Sequence, residues 1–249
     1  MAMQRWFDAC DDTLNRIRTT QADALRRAGE LIAEAAKAGG GLHIYDTGHC
    51  SHEPIHRAGG LLMMTPLRFS FDVASRPAPR RQEVVSRRQQ EFRQAHDEAA
   101  ADLAVERSGL VPGDVLIVNS VSGKTASVVQ VVLAAKRLGV SVVAITNVTY
   151  SSAVAGEHSS GQHLFEVADV VIDNCGVVGD AIVEVEGMEA KVAPTSGLTF
   201  CYIIWALTCE AVGQMLARGL KPHVYRSINR PGGREFNERA EAEYRETGV

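Results

Sequence analysis

A repeated order of strand, loop, helix and strand in the second half of the chain limits the folds that the chain can adopt. Residues 115–119 and 140–146 are nearly unbroken aliphatic and β-branched runs, typical of strands covered on both faces, and residues 170–173 form a third. Residues 126–138, between the first two runs, carry apolar side chains at helical spacing. This order is typical of βαβ units, so we expect a parallel sheet flanked by helices.

The remaining segments are consistent with the same α/β architecture. Apolar side chains recur at helical spacing from residue 7 to residue 38, before three glycines and a short β-prone stretch at 42–46. A proline- and arginine-rich connection at 76–88 is expected to enter a helix that continues to residue 107. Residues 196–216 are apolar around most of a helix, which predicts a place in a core or at a subunit interface.

Charge and composition exclude several classes of function. The 249 residues carry 26 basic and 30 acidic side chains, a net charge of −4, so no overall positive field would attract nucleic acid or an anionic membrane. The long uncharged runs at 138–156 and 192–209 contain too many polar residues for a membrane span. The five cysteines include no C-x-x-C pair, which favours neither a disulfide framework nor a structural zinc site.

These features predict a cytoplasmic protein that binds neither nucleic acid nor membrane. We expect one domain over residues 1–249, with an N-terminal helical segment at 1–40 and a C-terminal tail at 220–249. Aromatic residues make up only 6% of the chain, so aliphatic side chains must supply the core, as suits a parallel sheet better than a sandwich or barrel.

The loop at residues 119–125, Asn-Ser-Val-Ser-Gly-Lys-Thr, is the segment most informative about function. It lies between a predicted buried strand and a predicted helix, where ligands bind in an open α/β sheet. The hydroxyls of Ser120, Ser122 and Thr125, the close backbone approach that Gly123 permits, and the free N–H groups of the next helix together make a cradle for phosphate. The alternative is that a hydroxyl only caps the helix. The loop lacks the first glycine of a Walker motif and has no G-x-G-x-x-G, so a nucleotide is not expected.

These residues resemble the phosphosugar-binding core of SIS (sugar isomerase) domains. The resemblance spans about residues 40–216 and comprises Ser120-x-Ser122-Gly123-x-Thr125, the following helix and strand to Asn147, and the later segments Ser151-Ser152, 168–173 and Pro194-Thr195-Ser196. It implies a three-layer αβα sandwich around a five-stranded parallel sheet, of the flavodoxin or Rossmann-like kind. It also implies assembly as a homodimer or homotetramer.

The resemblance further implies a small sugar phosphate as the ligand, with no cofactor and no metal. Its phosphate is expected on Ser120, Ser122, Gly123 and Thr125. The sugar is expected near four further residues, which are Thr47, Gly48, Ser151 and Ser196.

Isomerisation of such a ligand requires an acid–base group. An aldose–ketose isomerase moves a proton between adjacent carbons through an enediol, so a carboxylate or histidine must lie beside the sugar. Related isomerases and etherases carry a glutamate six residues before the Ser or Thr that opens the long helix, and counting back from Thr195 gives Glu189. The alternative is that Glu189 is an exposed loop carboxylate.

The loop after residue 46 supplies the other catalytic candidates. His49, His52 and Glu53 are expected to line the sugar end of the pocket, where an imidazole, which titrates near neutral pH, would assist ring opening. Phosphoheptose isomerases have a glutamate where this chain has Gly60, which argues against heptose isomerisation by their mechanism.

Residues 52–56 also match the zinc motif H-E-x-x-H. That motif needs one continuous helix to bring both histidines to one metal, and Pro54 allows it only in a first turn. A zinc-dependent hydrolase is therefore a remote alternative. The leading expectation is a phosphosugar isomerase, with a lyase or etherase-like enzyme and a non-catalytic phosphosugar sensor as the nearer alternatives.

Overall fold

The aliphatic runs of the sequence form one five-stranded parallel sheet. The structure is a computed structural model that describes residues 1–47, 52–71 and 73–249. The strands pair in the order β2-β1-β3-β4-β5, with every pair parallel. Their bounds are β1 (Leu42–Asp46), β2 (Met64–Pro66), β3 (Val115–Asn119), β4 (Ser141–Thr146) and β5 (Val170–Asp173). The predicted fold class is confirmed, including the three aliphatic strands and the β-prone stretch before them.

Helices cover both faces of this sheet and complete the three layers. In chain order they are α1 (Ala2–Thr20), α2 (Ala22–Lys37), α3 (Gln82–Glu91), α4 (Arg93–Glu106), α5 (Ala126–Arg137), α6 (Val148–Ser152), α7 (Leu164–Val167), α8 (Ser196–Ala217) and α9 (Gly233–Thr247). A small antiparallel hairpin, β6 (Ala181–Val183) and β7 (Val192–Pro194), precedes α8.

Alternate side chains of each central strand enter two separate cores. Ile117 and Ile145 pack with α2 and α8 on one face, whereas Leu116 and Val118 pack with α4, α5 and α7 on the other. Strands covered on both faces need apolar side chains at every position, and all five residues of β3 are buried. The aliphatic composition is therefore what a two-sided parallel sheet requires.

Three segments differ from the sequence predictions. The helix expected over 7–38 is two helices that meet at Gln21, whose side-chain Oε1 accepts a hydrogen bond of 3.0 Å from the N–H of Asp173 at the end of β5. The helix expected through residue 107 begins at Gln82 and breaks at Phe92. The C-terminal tail contains α9, and the short edge strand β2 and the hairpin were not predicted, since strands of three residues leave little periodicity to detect.

The long helix α8 is apolar enough, by length and composition alone, to cross a membrane. Core helices of globular proteins pass the same test. Here Phe200, Ile203 and Leu207 are buried in the core that α8 shares with α2 and the sheet. The packing of α8 is that of a core helix, in line with its prediction from the sequence.

Candidate functional site

A polar cleft of about 570 Å³ opens where the first strands end and α5 begins. This is the edge of a parallel sheet at which α/β proteins bind ligands. Predicted site residues Thr47, Ser120, Ser122 and Thr125 line it together. The other described residues in its wall are Tyr45, Val121, Ser127, Val128, Tyr150, Gly179 and Asp180.

The backbone of the loop between β3 and α5 presents a row of unused hydrogen-bond donors. Within the described parts of the chain, none of the seven consecutive N–H groups from Val121 to Ser127 donates to a protein acceptor. Gly123 has a φ of 57°, in the left-handed region that glycine adopts without a side-chain clash. Successive N–H groups around such a turn, leading into a helix N-terminus, form an anion-binding concavity.

The three hydroxyls of the loop are also available to a ligand. The side chains of Ser120, Ser122 and Thr125 make no hydrogen bond to any described residue. Thr125 occupies the N-cap position of α5, but its side chain makes no capping bond. Helix capping, the alternative explanation for these residues, is therefore not their role in this structure.

Buried residues behind the loop fix its shape. Ser151 is fully buried, and its Oγ donates to the Ser122 carbonyl at 2.6 Å. The N–H of Leu164 donates to the Gly123 carbonyl at 2.8 Å. A Cβ on Gly123 would lie 3.0 Å from atoms of Thr146, Ser151 and Leu164, so the loop backbone is pressed against this support. Ser151 was predicted beside the sugar, whereas its hydroxyl supports the backbone of the loop at 119–125 from behind.

Two tyrosines line the part of the cleft beside the loop, and sequence reasoning did not identify either. Tyr45 is the fourth residue of β1 and stacks on Phe69 with ring centroids 5.5 Å apart. Burial raises the pKa of the Tyr45 phenol, which therefore remains a neutral hydrogen-bond donor at physiological pH. Tyr150 lies in α6, whose N-cap Asn147 accepts the Tyr150 N–H at 2.7 Å. Tyrosines offer a sugar both an apolar ring and a hydroxyl.

Asp180 is the acidic residue among the described residues of the cleft wall. Its Oδ1 accepts the N–H groups of Thr195 and Ser196 at 3.2 and 3.0 Å, and its Oδ2 accepts the Ser196 hydroxyl at 2.6 Å. Ser196, predicted to contact substrate, is buried at the start of α8 and bonded to this carboxylate. The only sequence signal for Asp180 was a Gly-Asp pair, which marks a turn but no function.

The predicted base Glu189 lies away from this cleft. It is exposed in the connection between β6 and β7 and lines a different surface depression with Arg5 and Lys191. Its placement within this chain matches the alternative of an exposed loop carboxylate.

His52 and Glu53 also lie outside the wall of the cleft, and residues 52–56 form a turn rather than a helix. Glu53 accepts bonds from Arg57 at 2.7 Å and from the Trp205 indole at 3.3 Å. His52 contacts Arg68 and His56 contacts Tyr225, at 3.1 and 2.8 Å. Because the zinc motif needs both imidazoles on one helix face, this turn does not build it. No group of three metal-ligating side chains occurs among the described residues. Gly48 and His49 lie outside the described residues.

No lysine, arginine or histidine lines the cleft in the described ranges. The nearest basic residue in sequence, Lys124, is paired with Glu157 at 2.7 Å. An anion bound at the loop would therefore be stabilised by backbone dipoles and hydroxyls rather than by a cationic side chain.

Comparison with known proteins agrees with this fold. The chain belongs to the SIS domain family, whose model matches residues 5–147. Along nearly its whole length it is similar to bacterial proteins named UPF0309. The one from Shouchella clausii is 31% identical over 239 residues, 95% of this chain and 94% of the relative. The one from Streptomyces griseus is 32% identical over 245 residues, 97% of this chain and 94% of the relative.

A solved structure supports the fold independently. Phosphoheptose isomerase from Neisseria gonorrhoeae superposes with a TM-score of 0.53 at 15% identity, covering 85% of this chain and 96% of that one. In the present chain a Cβ on Gly60 would lie 2.9 Å from the Pro54 carbonyl and 3.0 Å from that of Arg57. A glutamate would not fit at Gly60 without a backbone shift, in keeping with the argument drawn from the sequence.

Proposed function

We propose that this protein binds a phosphorylated sugar in the cleft and isomerises it by proton transfer through an enediol. The observation that carries the proposal is the row of unused N–H donors from Val121 to Ser127, together with the unbonded hydroxyls of Ser120, Ser122 and Thr125. Phosphate offers three oxygens that each accept several hydrogen bonds, and this loop supplies donors in matching number. Membership of the SIS domain family supports the same ligand class.

The remainder of the cleft suits a sugar. Two tyrosines, the Thr47 hydroxyl and the Asp180 carboxylate surround its volume of about 570 Å³, which is in the usual range for small-molecule sites. Sugar hydroxyls both donate and accept, and these groups provide partners of both kinds.

The proton-transfer step requires a base that reaches the sugar. Glu189, His49, His52 and Glu53 remain the proposed sources of that group, and Gly48 remains a proposed contact of the sugar. Of the described candidates, Glu189, His52 and Glu53 do not line the cleft within one chain, so a role for any of these three requires a rearrangement on binding or a contribution from another subunit.

A non-catalytic phosphosugar sensor is the second candidate. The observation that favours it is that the acidic residue in the described cleft wall, Asp180, already accepts three hydrogen bonds from Thr195 and Ser196 at the start of α8. A lyase would need the same base as the isomerase.

Ligand binding is tested by calorimetric titration of glucose 6-phosphate into the wild type and into Ser122→Ala. A lost hydrogen bond to a charged phosphate should weaken binding by about tenfold or more. Ser152→Ala is the matched control, because among the described residues the Ser152 hydroxyl bonds only the Val148 carbonyl of its own helix. Equal affinities for the wild type and Ser122→Ala would remove the basis of the phosphate site.

Catalysis is tested separately by proton exchange. Sugar phosphates that bind are incubated with the protein in deuterium oxide, and incorporation of deuterium next to the carbonyl carbon is followed by NMR. An isomerase incorporates the label through its enediol, whereas a sensor leaves the bound sugar unlabelled.

Assembly and location complete the proposal. We propose a homodimer or homotetramer in the cytoplasm, to be tested by light scattering and cell fractionation. An apolar surface on α8, formed by Leu198, Tyr202, Trp205 and Cys209, is compatible with association between copies.

A further inference from the structure

The cleft is electrically asymmetric. Its α5 side presents unused N–H donors from Val121 to Ser127. On its other side the N–H groups of Thr195, the N-cap of α8, and of Ser196, its first residue, are already bonded to the Asp180 carboxylate, at 3.2 and 3.0 Å. One helix N-terminus is therefore open to a ligand anion, while the other holds an anion of the chain itself.

The backbone at Asp180 is held in an uncommon conformation. Gly179 and Asp180 both have positive φ, 83° and 66°, and the Asp180 N–H closes a turn on the Val177 carbonyl at 3.0 Å. Aspartate and asparagine tolerate this region better than most residues, at some cost in energy. The turn directs the carboxylate to the α8 N-terminus while leaving it in the cleft wall.

The bonding of the carboxylate leaves capacity for a ligand. An ionised carboxylate has about four acceptor positions, and the three bonds to Thr195 and Ser196 occupy two on Oδ1 and one on Oδ2. The remaining position on Oδ2 accepts a hydroxyl or an ammonium group. A second phosphate there would face a fixed negative charge, with no cationic side chain among the described lining residues to offset it.

We propose that Asp180 determines the ligand specificity of the cleft. The cleft then binds sugar monophosphates that carry a hydrogen-bond donor at the end opposite the phosphate, and it prefers an amine to a hydroxyl at that end. It rejects sugar bisphosphates. This inference rests on the proposed phosphosugar site and adds to it the charge of the group opposite the phosphate.

The test is a series of ligands of different charge, one of which is glucose 6-phosphate. Each of the other two differs from glucose 6-phosphate at a single position, C2 for the amine and C1 for the second phosphate. Glucosamine 6-phosphate, glucose 6-phosphate and glucose 1,6-bisphosphate are titrated into the wild type and into Asp180→Asn, which keeps the side-chain shape and the tolerance of positive φ. The wild type should rank them in that order. Asp180→Asn should bind the amino sugar about tenfold more weakly and the bisphosphate about tenfold more tightly, each relative to glucose 6-phosphate. Asp23→Asn, the same substitution on the exposed surface of α2, should leave the ranking unchanged.

The outcomes separate this proposal from the proposed function. A wild type that binds none of the three ligands overturns the phosphosugar site itself. A wild type that binds all three without preference overturns only the role of Asp180, as does a ranking that survives in Asp180→Asn. If that variant fails to fold, the wild-type ranking at low and high salt still decides, because a preference due to charge must shrink as salt rises.

Discussion

Gly123→Ala should damage both the stability of the protein and its phosphate loop. Alanine at a φ of 57° costs about 1–2 kcal/mol relative to the right-handed region. Its Cβ would also stand 3.0 Å from Leu164 Cβ, Ser151 Oγ and Thr146 Oγ1, and such overpacking costs about 1–3 kcal/mol. The lower backbone entropy of alanine in the unfolded chain returns about 0.4–1 kcal/mol. We expect a net loss of about 1–4.5 kcal/mol in the free energy of unfolding.

Urea unfolding of the wild type and the variant measures this loss. Gly213→Ala is the matched control, because its added Cβ would meet no described atom within 4 Å beyond its chain neighbours and the adjoining backbone of its own helix, and its position in α8 favours alanine. The two substitutions should therefore differ in sign, with Gly213→Ala stabilising by up to about 1 kcal/mol. If Gly123→Ala changes the unfolding free energy by less than about 0.5 kcal/mol, the loop is not held as described.

Two further predictions concern sites outside the cleft. Asp114 is buried, and its carboxylate accepts hydrogen bonds from two backbone N–H groups and from the His43 ring. Asp114→Ala should therefore lower the free energy of unfolding in urea by about 2–4 kcal/mol, and a loss near zero would contradict this role. Hydrogen bonds from the backbone and side chain of His163 lower the pKa of Glu166. The ionised carboxylate therefore stabilises the fold in full above the ordinary glutamate pKa. That contribution is lost as the pH falls through the lowered pKa. Glu166→Gln should therefore flatten the decline of stability below about pH 4.5, whereas an acid-unfolding curve identical to that of the wild type would contradict the assignment.

The parts of the fold that were predictable are those with strong local signals. Residues 115–119 can only be buried on both faces, because all five positions lack charge and four are β-branched or leucine. The loop at 119–125 carries a local signal of the same kind, since hydroxyls and a glycine between such a strand and a helix predict an anion site there. Gln21 gave no such signal, because its helix break depends on a contact with β5 more than 150 residues away.

The rest of the site depends on tertiary placement. Asp180 and Tyr45 face the phosphate loop only because the carboxyl end of β1 and the turn before β6 come to the same edge of the sheet. Glu189 was chosen by counting along the chain, and such a count fixes no distance in space. His52 and Glu53 fit a local motif, but the turn at 52–56 sends their side chains to different partners.

A cradle whose described lining residues include no cationic side chain has to be rigid in order to bind. Lysine or arginine can follow a phosphate that moves, whereas backbone N–H groups stabilise it only if they already point at its oxygens. The interactions that keep this site rigid therefore lie behind the loop. They are the hydrogen bond from the Ser151 hydroxyl to the Ser122 carbonyl, the hydrogen bond from the Leu164 N–H to the Gly123 carbonyl, and the close packing of Thr146. Since the chain carries a net charge of −4, it also exerts no general attraction on anions. If the proposed function holds, selectivity for phosphate comes from the fixed geometry of this loop, and changes to its buried support should weaken binding as much as changes to the hydroxyls of Ser120, Ser122 and Thr125.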